Sequence, residues 1–264
     1  MGEGTDEAGW NDLIREFDAW QAEGWTATLW WRDDDATEVT GALEKMLEIS
    51  DSTKTPLAVA VIPARAGSAL RDRLSCHHRV DVLQHGFAHV NNEPEGGKKS
   101  EFGISRDAGQ VNSEIRRGRD ILSGWRPFLP VFVPPWNRID TRFLDVLPAL
   151  GFRGISCFNA RQAHWPVPGL VGANTHIDII QKRDGERRFI GVGPAISALV
   201  KHLSSRRLGL VDRREPSGML SHHLDHDSES WLFLEHLFRL VGNHSATRWL
   251  TASEVFKGEI EQKP

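Results

Sequence analysis

The chain has no tyrosine and only two cysteines and three methionines, and its apolar runs stay short. Cys76 and Cys157 stand in unrelated contexts. Such a pair makes no disulfide framework and suits a reducing compartment. Basic residues are not in excess. The 32 Lys and Arg against 36 Asp and Glu give a formal charge of −4, which withholds the basic footprint of a nucleic-acid binder. The run between Pro56 and Pro63 is far shorter than the ~20 residues of a membrane-spanning helix, so no membrane span is expected. The first residues carry Glu3, Asp6, Glu7 and Asp12 with no apolar core segment. A secretory signal is not expected, and the protein is read as cytoplasmic.

The sequence is otherwise that of a globular protein, 39% hydrophobic and 26% charged, enough for a full core. Its 264 residues fit one α/β domain, since an α/β barrel takes about 250. Trp10, Leu13, Ile14, Phe17 and Trp20 fall at helical spacing and predict an amphipathic N-terminal helix, ended at Gly24. Strands are predicted over 25–31, 57–62, 80–83, 129–133 and 153–157, with weaker ones over 175–180, 219–221 and around Trp249. Helices are predicted after Val39, after Asp107, over 141–150 and from Trp231 to Gly242. Residues 90–106 have the composition of a long surface loop, a frequent carrier of function. Strand and helix alternate without a linker or repeat, which predicts a parallel sheet. The chain is read as one domain over 1–264, with 1–24 as a helical extension.

Reactive side chains collect just after predicted strands: Asp33, Asp34 and Asp35, then His85, then Pro134 to Arg138, then His222 and His223. In parallel α/β folds that rim is the active face. His85 and His89 are four residues apart, a spacing that on a helix puts two imidazoles on one side, as for a pair of metal ligands. The plainer reading is two hydrogen-bonded surface histidines. Three consecutive carboxylates serve as helix caps, or are offset by a cation or by Arg32. Asp34 or Asp35 would complete a two-His, one-carboxylate set with an open position for water. His222 and His226, beside Asp225 and Asp227, repeat the spacing. They form a rival metal site or supply a general acid. Trp136 sits on the rim, where its indole either stacks on a sugar ring or simply packs.

These residues resemble the polysaccharide deacetylase family, the NodB-homology domain of carbohydrate esterase family four. Arg32-Asp33-Asp34-Asp35-Ala36 resembles its first motif, Thr-Phe-Asp-Asp-Gly. His85-Gly86-Phe87-Ala88-His89 resembles the second, His-Ser/Thr-x-x-His. Val133-Pro134-Pro135-Trp136-Asn137 resembles the third, Arg-Pro-Pro-Tyr-Gly, and Leu220-Ser221-His222 the last, Leu-x-His. The motifs follow family order from Arg32 to His222. The resemblance implies a distorted (β/α) barrel of about seven parallel strands. It implies a divalent metal, zinc first and cobalt, manganese or nickel as substitutes, on Asp35, His85 and His89. Asp34 would then be the base and His222 the acid. The backbone N–H of Trp136 would hold the oxyanion, with Pro135, Asn137 and Arg138 lining the substrate side and His223 in support. The implied reaction removes an N-acetyl or similar acyl group from a small-molecule or oligosaccharide substrate.

The sequence departs from the family in two motifs. Val133 replaces the arginine that pairs with the catalytic aspartate, leaving Arg32 or Arg138 to substitute. The fourth motif, Asp-x-x-Asp-Trp, is reduced to Asp178-Ile179-Ile180-Gln181-Lys182, with Asp178 the candidate partner of the catalytic histidine. A cytoplasmic setting favours a smaller N-acetyl sugar over a polymer. Two alternatives stay open: hydrolysis of another C–N or a glycosidic bond on the same fold, and a non-catalytic carbohydrate-binding relative.

Overall fold

Trp30 and Trp31 are neighbours in the first strand and point to opposite faces of the sheet, and the two cores they enter define the architecture. The computed structural model describes residues 3–183 and 185–257. Helix α1 (Glu3–Ala22) leads into β1 (Ala27–Ala36), α2 (Gly41–Thr53), β2 (Leu57–Val61), α3 (Ser68–Ser75) and β3 (Val80–His85). After a long connection come α4 (Ala108–Ser123), β4 (Phe128–Val133), α5 (Val146–Ala149) and β5 (Gly154–Ile155). Then follow β6 (Val171–Gly172), β7 (Ile177–Asp178), a hairpin of β8 (Ile180–Arg183) and β9 (Glu186–Phe189), and α6 (Val192–Arg207). The chain ends with β10 (Ser217–Ser221), α7 (Ser228–Asn243), β11 (Thr247–Trp249) and α8 (Ala252–Val255).

All pairings in the main sheet are parallel, in the order β5-β4-β3-β2-β1-β10, with β6 beyond β5 and β7 beyond β10. Those two end strands belong to one stretch of chain. Ala173 and Thr175 donate to the carbonyls of Ile155 and Cys157, and His176 donates to Gly218. The segment 171–178 is thus one bent strand that bonds β5 with its first half and β10 with its second. It joins the ends of the sheet into a ring. The expected distorted barrel of about seven parallel strands is what the chain forms.

Inside the ring lie Trp30, Ala58, Ala60, Leu83, Val131, Val133, Val171 and Ala173, closed from below by Leu250, Ala252, Val255 and Phe256. Three alanines leave room for the indole, which meets Phe256 edge-on at 5.7 Å. Trp31 points outward onto Phe238 at 4.5 Å. β2, with every residue buried, reads as the continuous apolar run of a strand covered on both faces.

Four local expectations change. The strand predicted over 25–31 continues through all three aspartates to Ala36, with an irregularity against β2 between Asp33 and Ala36. The helix predicted over 141–150 is a 3-10 turn (Thr141–Phe143) and the short α5, because Pro148 lacks the N–H that would bond back to Leu144. The predicted surface loop 90–106 buries Ser100, Glu101 and Phe102. α3, α6, α8, β6 and the β8–β9 hairpin were not expected. Gly193, Pro194 and the serines of α6 blur its pattern, although Ala195, Ile196, Leu199 and Leu203 are buried on one side.

Helix α1 packs along α6 and contributes Leu13, Phe17 and Trp20 to the outer core, each at most 1% exposed. Removing so much buried surface leaves a cavity. Trp20→Ala is expected to lower stability by about 3–5 kcal/mol in urea denaturation; a loss under 1 kcal/mol would show α1 to be dispensable.

Candidate metal centre and catalytic face

Alternation along β1 sends Arg32 and Asp34 into the barrel and Asp33 outward, and it would send Asp35 outward too. It does not, because Asp35 adopts φ 74° at the strand irregularity. A bulge of this kind re-aims a side chain. Asp35 turns to the side of Asp34, toward the end of β3. There its Oδ1 lies 3.2 Å from His85 Nε2 and 3.2 Å from His89 Nε2.

His85 closes β3, but His89 is not on a helix with it. The chain turns at Gly86, where φ is 58° and a Cβ would collide with Glu101 and Pro135, so only glycine fits. His89 itself has φ 57°. The turn is held from behind by the buried Glu101 carboxylate, which accepts the N–H groups of Phe87 (3.1 Å), Ala88 (2.7 Å) and His89 (3.1 Å). His85 Nδ1 donates to the Val133 carbonyl at 3.0 Å, which leaves Nε2 facing Asp35. An outer partner of this sort fixes the orientation and tautomer of a metal-ligating histidine.

Among the described residues, Asp35, His85 and His89 form the one cluster whose ligand atoms all lie within 4.8 Å of one another. Tetrahedral zinc with bonds of about 2.0–2.1 Å spaces its ligand atoms about 3.3 Å apart, close to the two 3.2 Å separations here. The donor set suits a borderline cation such as zinc. His222 and His226 gather no comparable set, so the rival site is not formed among the described residues.

The remaining aspartates have separate partners. Asp34 sits on the fully buried Arg32, with Nε to Oδ1 at 2.9 Å and Nη2 to Oδ2 at 3.0 Å. Arg32 also donates to Asn137 Oδ1 (2.7 Å) and Ser156 Oγ (2.5 Å). Arg138 is elsewhere, donating to the Lys99 carbonyl from the groove wall. Of the two arginines considered from sequence, Arg32 pairs with Asp34. Asp33, on the outer face, bonds His223 Nδ1 at 2.5 Å and accepts the Ser221 hydroxyl at 2.6 Å. His223 therefore faces away from the cluster and anchors the turn that carries His222 and Asp225. His222 Nδ1 is 3.8 Å from Asp178 Oδ1, beyond hydrogen-bond reach.

Trp136 and Asn137 both have positive φ, and Pro135 packs against Gly86. Asp35, His89, Trp136 and Asn137 are four of the six described non-glycine residues with positive φ. Strained backbone concentrated in one place marks a functional site. The Trp136 indole lies on His89 with ring centroids 4.3 Å apart. Arg187, from β9, reaches over the cluster to Asp35 Oδ2 (3.4 Å) and Asp225 Oδ2 (3.0 Å). Glu101 and Arg187 carry no sequence signal; each is one charged residue in a polar stretch.

Burial works to raise the Asp35 carboxyl, but the His85 hydrogen bond and the charges of His85, His222 and His89 hold it far below the usual range. Burial works to lower His85, and the carboxylates of Asp34 and Asp35 outweigh it. His89 is lowered, by burial and then by the charge of His85. Burial raises Asp178 and Glu101. In the buried outer pair, burial is overcome by mutual attraction, leaving Asp33 lowered and His223 raised.

No protein-family model matches the sequence, and no curated protein does. Solved structures match in fold. A candidate polysaccharide deacetylase from Mycobacterium smegmatis superimposes with a TM-score of 0.60 at 15% identity, over 88% of this chain and 90% of that one. A family 4 acetyl xylan esterase from Clostridium thermocellum, in complex with a cobalt ion, gives 0.53 at 11%, over 87% and 90%. A peptidoglycan deacetylase from Bacillus subtilis gives 0.51 at 12%, over 88% and 90%. The chain therefore has the fold of these carbohydrate deacetylases and esterases.

Removing the Glu101 clamp is expected to free the His89 turn. With Asp35, His85 and His89 as the candidate site, Glu101→Ala should lower divalent-cation affinity measured by calorimetry about 10–100-fold, the range for removing a group that orients a ligating histidine. The outer pair sets a pH dependence. The lowered Asp33 contributes stability above about pH 3.9 that is lost as pH falls through its native value. The raised His223 contributes stability below about pH 6.5 that is lost as pH rises through its native value. In His223→Gln the alkaline decline, followed by urea midpoints from pH 6 to 9, should flatten.

Proposed function

We propose that the chain is a divalent-metal-dependent hydrolase of the polysaccharide deacetylase family, removing an N-acetyl or related acyl group from an amino sugar or similar carbohydrate. The observation that carries this reading is the convergence of Asp35, His85 and His89 beside a separately held Asp34, at the carboxyl ends of the barrel strands. The barrel shared with known carbohydrate deacetylases and esterases supports it.

Asp35, His85 and His89 would hold the ion, with zinc the best match to the donors. Once bound, a divalent ion polarises the acyl carbonyl and acidifies water. Asp34 is the base. Arg32 donates to its Oδ2 and stands in ion-pair contact with its Oδ1, which fixes it for proton abstraction from the attacking water. The backbone N–H of Trp136 donates to the developing oxyanion, and the left-handed conformation of Trp136 and Asn137 sets its direction. His222 gives a proton to the departing amine or alcohol. Its nearest acid is Asp178, at 3.8 Å. The Trp136 ring offers a sugar a flat face beside His89.

The test joins metal analysis to acetate release. Purified protein should hold about one zinc per chain, lost in Asp35→Ala and in His89→Ala. Acetate should be released from N-acetyl or O-acetyl glycosides. Asp34→Asn should keep the metal and slow release by about 10²–10⁴-fold. Metal kept in both ligand variants would refute the site. Reducing sugar in place of acetate would indicate glycosidic cleavage, and metal with no turnover would indicate a binding protein.

A further inference from the structure

The proposed centre explains the buried groups but not the cation above them. Arg187 comes from the β8–β9 hairpin, which follows directly on the closing strand of the barrel. Its side chain is 38% exposed, with Nη1 on Asp35 Oδ2 and Nε on Asp225 Oδ2. Neither contact uses the Nη2 edge. The guanidinium bridges two carboxylates, and a planar fork of N–H donors is the group that recognises a carboxylate or phosphate through two parallel bonds.

Other cations stand on the same rim. Lys99 Nζ lies 5.9 Å from the centre of the Trp136 ring. A groove of about 400 Å³ runs from Asn137 and Cys157 along Ser100, Ile139, Lys98 and Arg138. Asn137, at one end of the groove, accepts a hydrogen bond from Arg32, the partner of Asp34. The groove is also lined by two acids: Asp140, which accepts the Arg142 N–H at 3.0 Å, and Glu93, which accepts the Ser105 hydroxyl at 3.2 Å. On the other side, Asp225 is held by Arg187 itself and Asp178 accepts the Ile180 N–H. Lys98, Lys99, Arg138 and Arg187 thus stand around the proposed acyl-cleaving centre, interleaved with acids, and Arg187 is the cation in contact with it.

We propose that Arg187 is a specificity-determining residue that selects an anionic sugar, one with a carboxylate or phosphate near the acylated position, by binding that anion on its Nη2 edge while Nε stays on Asp225. This deepens the proposed function and rests on it for the location of the acyl group. A cation engaged by Asp35 would reduce that carboxylate's hold on Arg187 and leave the guanidinium more open to the substrate. The hairpin then acts as a selector added to the barrel, apart from the strand ends that carry the proposed chemistry.

The test separates anion recognition from turnover by using sugars with no acyl group to cleave. Glucosamine, muramic acid and glucosamine 6-phosphate are titrated calorimetrically into the zinc-loaded protein and into Arg187→Gln and Arg187→Lys. Acetate release is measured in parallel from their N-acetyl counterparts. One of the two anionic sugars should bind about ten- to a hundredfold more tightly than glucosamine, the range for a charge-assisted hydrogen bond. Which of them binds tells carboxylate from phosphate. The preference should vanish in Arg187→Gln and be only partly restored in Arg187→Lys, which keeps the charge but loses the fork. Because Arg187 is exposed, both variants should melt close to the parent. If this pattern appears without acetate release, the anion site stands and the hydrolase reading falls. Equal binding of all three sugars, no binding, or a preference that survives Arg187→Gln would overturn the proposal, and acetate release from neutral N-acetylglucosamine would then leave the hydrolase reading intact.

Discussion

The structure around the barrel mouth follows from having to place three consecutive carboxylates in one buried strand. Each buried charge costs several kcal/mol unless it is paired and hydrogen-bonded, and three together repel one another. The chain distributes them. Asp33 goes outward to His223 and Ser221, Asp34 goes inward to Arg32, and Asp35 is swung round by a left-handed residue to meet two histidines. Each pairing fixes another element: the turn after β10, Asn137 through Arg32, and the ends of the β3 connection. The site is the solution to an electrostatic packing problem as much as a set of functional groups.

How much of this the sequence discloses depends on the range of the forces involved. The strands are legible because a buried parallel strand needs an unbroken apolar run, as in β2, and the carboxyl ends are legible because polar residues follow those runs at once. The grouping of Asp35, His85 and His89 is readable as residue types in order. The backbone that brings them together is not. The four-residue spacing of the histidines points to a helix, whereas a glycine-dependent turn performs the task. That turn is held by Glu101, twelve residues beyond His89 in sequence, inside a stretch whose neighbours Glu93 and Glu95 look no different. Arg187 is farther still, in a hairpin whose strands are too short and too charged to show alternation.

On the proposed reading, the Arg32–Asp34 pair meets the family's chemical requirement from a different position in the chain. In the family this chain resembles, an arginine at the start of the third motif pairs with the catalytic aspartate. Here that place is Val133, whose side chain packs inside the barrel and whose carbonyl orients His85. The guanidinium enters from β1 itself, two residues before the carboxylate it holds. The fold itself is shared with the solved structures at only 11–15% identity.

The closing strand bears on how the barrel is made. Residues 171–178 pair with β5 on one side and β10 on the other, and β10 lies some forty residues further along the chain. During synthesis from the N-terminus, β1 to β5 can assemble as each emerges, but β1 keeps an unpaired edge until β10 is available. The second half of the closing strand waits with it. An open parallel edge is a template for pairing with another chain. The nascent protein therefore carries an open β1 edge until β10 and then β11 pair with it, β10 over Leu29 to Asp33 and β11 over Ala27 to Leu29.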